Sequence, residues 1–280
     1  MTTPEDATRA PESDAQEDRA APPSSSVDAS GPTPAMGDCC TSDRPTLNNQ
    51  IQSDKFASEG FVVIMPDLFG GDPAPNAAGL ENELDLSSTS FLDIFKVRAA
   101  ETAKSFMIDM WLARHTQDKV MPLLHRVIDG CKEKYSAVVA EGQGIYAAGY
   151  CFGARYVLLL AKENQSLYGE AMPNEEAGGL RKGPLIKAGA LAHPTSVSHA
   201  DFDSLKAPLS FICVENDPLF PDEIRAIGED TMEKASLEHE VKVYPGVPHG
   251  FAVVGDYPQA EIKEAQGVAY DQMLDWLHSH

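Results

Sequence analysis

Short apolar runs alternate with amphipathic stretches along the chain from Leu47 onward. The runs typical of buried strands, most of them bounded by Gly, Pro or His, are 61–65, 145–148, 186–192, 208–214 and 241–244. The stretches that predict helices, with apolar residues three or four positions apart, are 47–60, 102–113, 118–131, 156–161, 223–235 and 262–277. Strands that alternate with helices predict an α/β fold, in which a mostly parallel sheet is covered by helices on both faces.

The first 46 residues have a different composition. They contain few aromatic or large aliphatic side chains and are dense in Pro, Ser, Ala, Asp and Glu. Such a segment cannot bury enough apolar area to offset the entropy that is lost on ordering. We therefore predict a disordered acidic tail over residues 1–46 and one folded domain over residues 47–280. Cys39 and Cys40 in the tail have no second Cys pair or His at metal-ligand spacing, so we interpret them as incidental thiols.

The chain is strongly acidic, with 43 Asp and Glu against 22 Lys and Arg and a formal net charge of -21. Nucleic acids and anionic membrane surfaces attract cationic proteins, so neither is expected as a partner. The N-terminus lacks a basic region followed by an apolar core, and no stretch approaches the roughly 18 apolar residues of a membrane helix. The odd number of cysteines, five, argues against a disulfide framework. We expect a cytoplasmic protein, and the sequence carries no signal of its oligomeric state.

The segment Gly149-Tyr150-Cys151-Phe152-Gly153 fits the pattern Gly-x-nucleophile-x-Gly, with Cys in the place more often held by Ser. A predicted strand precedes it and a predicted helix follows, as in a nucleophile elbow. The nucleophile of such an elbow has a strained backbone, and we expect a side chain at either glycine position to collide with the crossing strand and helix. Cys151 is then the nucleophile, and the N–H of Phe152 is one donor of an oxyanion hole. The alternative is a small core cysteine.

Two further strand ends carry an acid and a base. Asp217 follows the strand 208–214, and His249 follows the strand 241–244. Functional groups of an open parallel sheet gather beyond the carboxyl ends of its strands. The order nucleophile, acid, base along the chain is that of α/β-hydrolases. In this triad His249 would move the thiol proton, and Asp217 would orient the imidazole.

Each of these residues also has a less specific explanation. Asp217 and the proline after it fit an ordinary turn, and Glu215 is a competing acid. His249 could be a packed histidine without a chemical role. His193 ends another predicted strand and could line the site, although a capped strand end is the favoured explanation. No His pair has metal-ligand spacing, and no strand is followed by a phosphate-binding or dinucleotide-binding glycine pattern, so neither a metal nor a cofactor is expected.

Together these segments resemble the dienelactone hydrolase family, especially its fungal members. The matching segments, within a similarity from about Leu47 to the C-terminus, are Phe61-Val62-Val63-Ile64-Met65-Pro66-Asp67-Leu68-Phe69 with Gly71-Asp72-Pro73, Gly149-Tyr150-Cys151-Phe152-Gly153-Ala154, Ala192-His193-Pro194, Glu215-Asn216-Asp217-Pro218-Leu219-Phe220 and Pro248-His249-Gly250-Phe251-Ala252-Val253. The resemblance implies a three-layer α/β-hydrolase that opens enol-lactones or cleaves related carboxylic esters without a cofactor. It also implies the triad Cys151, Asp217 and His249.

The chain departs from the family pattern at three places. Family members have early strands before the position of Leu47, whose last turn supplies a second oxyanion N–H and lies near a glutamate that contacts the thiol. Here the acidic tail takes that place, so the domain is expected to be N-terminally truncated relative to the family. Losing one oxyanion donor costs about 100-fold or more in rate, and missing strands leave a sheet edge exposed. Val254 replaces an Arg suited to a carboxylate substrate, and Ala154 replaces a Gly.

Three hypotheses about function follow from this pattern. The leading hypothesis is a hydrolase of small lactones or carboxylic esters, of the carboxymethylenebutenolidase type, that works through an acyl-enzyme on Cys151. The alternative is a hydrolase-like protein with impaired catalysis that acts by binding or exists as a truncated form. A redox-sensing thiol at Cys151 is a third, minor hypothesis.

Overall fold

Four parallel strands form the centre of the protein, in a computed structural model that describes residues 47–72, 74, 107–163, 183–253 and 255–280. The strands are β1 (Tyr146–Tyr150), β2 (Ala188–Ala192), β3 (Leu209–Val214) and β4 (His239–Tyr244), and they lie side by side in this order. The helices are α1 (Leu47–Ser58), α2 (Gln117–Lys134), α3 (Ser136–Glu141), α4 (Phe152–Leu160), α5 (Asp222–Lys234) and α6 (Ala260–Ser279), with a further helical stretch over 107–114 and a 3₁₀ turn at His199–Phe202.

The strand pairing aligns the carboxyl ends of all four strands. Tyr150 pairs with Ala192, Ala192 with Ile212, and Val214 with Tyr244. The residues that follow these pairs therefore meet at one edge of the sheet. In an open parallel sheet this is the edge where ligands bind.

Helices cover the sheet on both faces. Strands β2 and β3 are buried along their whole length, as expected for the centre of a parallel sheet. Successive side chains of β3 point to opposite faces of the sheet and enter two separate apolar clusters. Phe211 and Cys213 belong to the cluster that contains α4, whereas Ile212 and Val214 belong to the cluster that contains α6. Phe56 brings α1 into the second cluster. These three layers confirm the predicted α/β sandwich.

The predicted buried strand 61–65 does not form. These residues pair with no strand in the part of the chain that the structure describes. Phe61 and Val63 pack against the apolar cluster of α6, with the Phe61 ring 6.0 Å from that of Tyr146, whereas Val62 is 52% exposed. A strand needs hydrogen bonds to a neighbouring strand as well as an apolar pattern. In the described sheet β1 is an edge strand that pairs only with β2, and residues 61–65 do not pair with its other side. The apolar run was therefore a wrong signal for a strand.

Two helix predictions also need correction. The capping side chain of Asp118 predicts that the helix over 118–131 starts directly after it. Thr116 is instead the N-cap of α2, so Asp118 lies in the first turn. The predicted apolar stripe of α2 is present, but Cys131 on it is only half-buried. The six-residue α3 was not predicted because it buries none of its side chains and so has no apolar periodicity.

Several predictions fall on residues outside the described ranges. These are the disordered tail over 1–46, the start of the helix predicted over 102–113, and the substitution at Val254. They stay predictions. None of the helices within the described ranges combines the length and the apolar composition needed to cross a membrane.

Candidate active site

Cys151 occupies the sharp turn between β1 and α4. Its backbone has a φ of 49° and a ψ of -115°, a conformation that residues other than glycine rarely adopt. The Cys151 N–H donates to the carbonyl oxygen of Ala192 at 3.1 Å, and the Cys151 carbonyl accepts the N–H groups of Ala154 and Thr195. These bonds on both sides hold the strained turn, whose geometry is that of a nucleophile elbow. The cysteine is 4% exposed.

The two glycines of the elbow differ in what they permit. A Cβ atom at Gly149 would lie 2.6 Å from Val157 Cγ2 and 2.7 Å from the carbonyl oxygen of Gly153. A Cβ atom at Gly153 would meet no atom of the described residues within 4 Å. The expected collision is therefore confirmed at Gly149 and wrong at Gly153, because Gly153 lies in the first turn of α4 with its Cα facing open space.

Asp217 lies where the chain turns after β3. The two residues before it, Glu215 and Asn216, are exposed, and Asn216 has a φ of 55°. Asp217 itself is 2% exposed. One carboxylate oxygen accepts the N–H of Leu219 at 2.9 Å, and the other lies 2.7 Å from Nδ1 of His249. The structure thus brings Asp217, and not the exposed Glu215, to the histidine.

His249 links this acid to the thiol. It lies in the loop after β4, and its side chain is 10% exposed. Nδ1 of the ring donates to Asp217, while Nε2 lies 3.3 Å from Cys151 Sγ. Three residues that follow three different strands therefore form one hydrogen-bonded series. Their catalytic roles stay a prediction.

The surroundings of His249 favour its charged form. Burial by itself lowers the pKa of His249, but the hydrogen bonds and charges of Asp217 and Cys151 raise it overall to about 9. At neutral pH the imidazole therefore carries its proton beside the Cys151 sulfur. A neighbouring imidazolium favours the thiolate form of a cysteine, which is the nucleophilic form.

Residues 46–280 of the chain match the Dienelactone hydrolase family. The chain belongs to this family. The match spans the elbow, the acid and the base, and it confirms the resemblance seen in the sequence. The protein is thus a member of a hydrolase family with an α/β fold.

Named relatives are distant. Hydrolase tropI of Talaromyces stipitatus is 27% identical over 83% of this chain and 76% of the relative. Dienlactone hydrolase 1 of Gibberella moniliformis is 24% identical over 74% of this chain and 63% of the relative. Among solved structures, the native esterase Est2 of Thermogutta terrifontis matches with 16% identity and a TM-score of 0.45, over 58% of this chain and 66% of that one. About a third of the second relative and of the esterase thus lies outside the matched region.

In this dienelactone hydrolase family member, an aromatic wall packs beside the elbow. Asp67 accepts two N–H groups of its own turn, 67–72, and Trp111 Nε1 donates to a carbonyl of the same turn at 2.8 Å. The Phe69 and Trp111 rings then contact the ring of Phe152, with centroids 5.5 and 5.2 Å away. The sequence motif around Asp67 therefore shapes the side of the elbow rather than the sheet.

A cavity of about 220 Å³ opens next to this wall. Its lining residues are Leu112, His115, Thr116, Gln117, Phe152, Arg155, Tyr156 and Ser196. Arg155 is held in place because its Nε donates to Asp201 at 2.9 Å and its Nη2 to Gln117 at 3.1 Å. Phe152 directly follows Cys151, and Ser196 follows Thr195, which donates its N–H to the Cys151 carbonyl at 3.3 Å. The cavity is therefore lined by chain neighbours of Cys151 and of the residue that binds its carbonyl, and not by Cys151, Asp217 or His249 themselves.

His193 also lies at the site, a position that the sequence left undecided. It is fully buried, and its ring lies against that of His249, with centroids 4.9 Å apart. The pairing of Tyr150 with Ala192 would have located it, because Cys151 and His193 are the next residue on each strand. Strand register, unlike composition, is not readable from one sequence.

The unequal glycines give a test of the elbow. Gly149→Ala is expected to destabilise the protein by about 1–3 kcal/mol or more, since its methyl group overlaps backbone atoms of α4. Gly153→Ala is the matched control and should leave stability unchanged or raise it by up to about 1 kcal/mol, because Ala is the better helix former. Urea unfolding of both variants measures the difference. Equal losses of stability would contradict the unequal contacts of the two Cβ positions.

The raised pKa of His249 predicts how the site responds to pH. The imidazolium should persist up to about pH 9, and Asp217→Asn should move its titration to lower pH because the carboxylate raises this pKa. The raised pKa also stabilises the folded state. This contribution to the free energy of unfolding is fully present below about pH 6.5 and is lost as the pH rises through 9. NMR titration of the His249 ring compares wild type with Asp217→Asn without any substrate. An unchanged midpoint in Asp217→Asn would contradict this assignment.

Proposed function

We propose that the protein hydrolyses small lactones or carboxylic esters through a covalent intermediate on Cys151. The observation that carries this proposal is the hydrogen-bonded series of Asp217, His249 and Cys151, with Cys151 in the strained turn before α4. Membership of the dienelactone hydrolase family supports the substrate class. The reaction needs neither a metal nor an organic cofactor, since the series itself supplies a nucleophile and a proton carrier.

In the first half of the reaction the Cys151 sulfur attacks the carbonyl carbon, and the carbonyl π electrons move onto oxygen. The resulting oxyanion collapses, the bond between the carbonyl carbon and the leaving oxygen breaks, and His249 donates its Nε2 proton to that oxygen. The products are a thioester on Cys151 and an alcohol, or an enol that becomes a ketone. For a lactone the leaving group stays attached to the acyl chain.

In the second half a water molecule attacks the thioester, and the now neutral His249 accepts the proton of that water. The bond between carbon and sulfur breaks, so the carboxylic product leaves and the thiolate returns opposite the imidazolium. Asp217 keeps Nδ1 protonated throughout, which leaves Nε2 as the atom that gives and takes the proton.

The oxyanion needs hydrogen-bond donors that are already in place. The N–H of Phe152 is suited to this because it belongs to the first residue of α4, whose N–H has no acceptor within the helix. The second donor and the thiol-contacting glutamate that the family resemblance implies are unassigned. The rate gained from this donor and this glutamate would decide between an efficient enzyme and an impaired one.

The cavity beside Phe152 is the proposed site for the acyl or leaving group. Its aromatic and aliphatic walls come from Phe152, Tyr156 and Leu112, and Arg155 adds a polar side chain. A volume of about 220 Å³ suits a small ring or short chain rather than a large ester. A reducing cytoplasm is the proposed location, because none of the described cysteines forms a disulfide.

Replacement of the nucleophile is the direct test. Cys151→Ala should lower the turnover of an activated short-chain aryl ester at least about a thousandfold, as expected when a nucleophile is removed. Cys131→Ala, which removes the half-buried thiol of α2, is the control and should retain activity. Steady-state assays and mass spectrometry of the trapped thioester provide the measurements. Equal rates in Cys151→Ala and wild type would refute the mechanism, and an inactive wild type would favour the impaired, binding-only alternative.

A larger side chain in the cavity should change substrate choice. Leu112→Trp is expected to lower kcat/KM for esters of bulky acids or alcohols by about 10- to 100-fold relative to an acetate, because the indole fills space that the substrate would use. Val138→Trp places the same side chain at an exposed position on α3 and serves as the control. Parallel losses for small and bulky esters would assign the substrate to another part of the site.

A further inference from the structure

His193 is costly for the fold in two independent ways. Its backbone has a φ of 37°, in the left-handed region that a side chain such as imidazole disfavours. Its ring is fully buried, yet neither Nδ1 nor Nε2 has a hydrogen-bond partner among the described residues. A buried polar group without a partner destabilises a protein, so such a group calls for an explanation. A leucine or phenylalanine would avoid the second cost altogether.

The surroundings of His193 point to the site. Its N–H donates to the carbonyl of Ile212 at 2.7 Å, which fixes the residue at the end of β2. Its ring meets that of His249 edge to face, at 64° and 4.9 Å between centroids. Tyr150 and Phe251 cover it further out, with centroids 6.0 and 6.2 Å away. The costly ring is thus in direct contact with a ring that has a role in the proposed reaction.

The hydrogen bonds of His249 leave one movement of its ring free. Asp217 and Cys151 bind the two nitrogens and so fix the line between them. They do not prevent the ring from tilting about that line. The edge-to-face contact with His193 opposes this tilt, which keeps Nε2 aimed at the sulfur.

His193 is neutral where its ring meets His249. Burial, followed by the charge of His249, lowers the pKa of His193, so His193 stays neutral beside the imidazolium. A neutral imidazole has one N–H and one electron-rich nitrogen, and a partner normally decides which is which. No described residue binds either nitrogen of His193, so no hydrogen bond from these residues selects its tautomer.

We propose that His193 is a positioning residue for His249. It holds the ring of His249, and it stabilises the charged form of His249 by adopting the tautomer whose electron-rich nitrogen faces that ring. This inference rests on the proposed function for its meaning in catalysis, but its physical content concerns the rings alone. Among the described residues, the other titratable groups that face the two rings are Cys151 and Asp217, with Tyr150 next to His193 and Tyr244 behind Phe251. Burial raises the pKa of both tyrosines, so neither changes charge in the neutral range.

The test compares two substitutions that each remove buried polar atoms for which the described residues offer no hydrogen bond. His193→Phe keeps an aromatic ring of similar size, and Tyr270→Phe removes such a hydroxyl from α6, where Lys55 and Phe56 surround the ring. Both variants should unfold at a higher temperature than wild type. Only His193→Phe should lower the pKa of His249, by about one unit, which is a tenfold change in its protonation equilibrium. NMR titration of the His249 ring in wild type and in both variants measures this shift.

The outcomes separate the roles. Removal of a residue with a purely structural role would not raise stability while lowering the pKa of His249, so a wild-type titration midpoint of His249 in His193→Phe overturns the proposal. If His193→Phe does not fold, ¹⁵N NMR of wild type decides: the tautomer of His193 should change as His249 loses its proton near pH 9, and a constant tautomer from about pH 6 to about pH 10 overturns the proposal. If His249 titrates as expected in wild type and in His193→Phe but wild type cleaves no ester, the proposed function is refuted and this inference stays intact.

Discussion

The register of the parallel sheet is the constraint on which the site depends. Each of the four strands ends at the same edge, and each is followed by one residue of the site: Cys151, His193, Asp217 and, after a short loop, His249. A shift of one residue in any ladder would reverse the faces of that strand and move its residue away from the others. Because β2 and β3 bury every side chain, such a shift would also expose core residues. Folding energy and site geometry are thereby set by the same hydrogen bonds.

The sequence was a good guide wherever the local pattern and the final packing agree. The elbow around Cys151 combines a strand, a turn and a helix in one continuous segment, so residues that are adjacent in the sequence determine its geometry. The order of Asp217 and His249 after Cys151 added a long-range element, because parallel strands place their ends together whatever their separation in sequence. The choice between Asp217 and Glu215 needed the structure, since only the turn at Asn216 decides which carboxylate is buried.

The failures have a common physical cause, which is that each depended on a neighbour. Residues 61–65 have the apolar content of a strand, but strand formation requires a hydrogen-bonding partner that the apolar run does not encode. Gly153 matches the elbow pattern as well as Gly149 does, yet only Gly149 closely approaches backbone atoms of α4. The importance of His193 lies in what its ring lacks among the described residues, and a missing hydrogen bond leaves no mark in a sequence.

The electrostatics of the site explain why a nearby neutral histidine is more useful than a charged one. His249 is charged although it is largely buried, because Asp217 and the Cys151 sulfur lie within hydrogen-bond distance of its two nitrogens. In the proposed reaction the sulfur carries no charge once a thioester has formed, and the imidazole has then given its proton to the leaving group. A second cation at His193 would oppose the return of that proton from water, whereas a second anion would hold the imidazolium too firmly to release it. In the proposed role, the dipole of His193 reverses when its tautomer changes and so supports both states of His249, which is possible because no described residue binds its ring nitrogens.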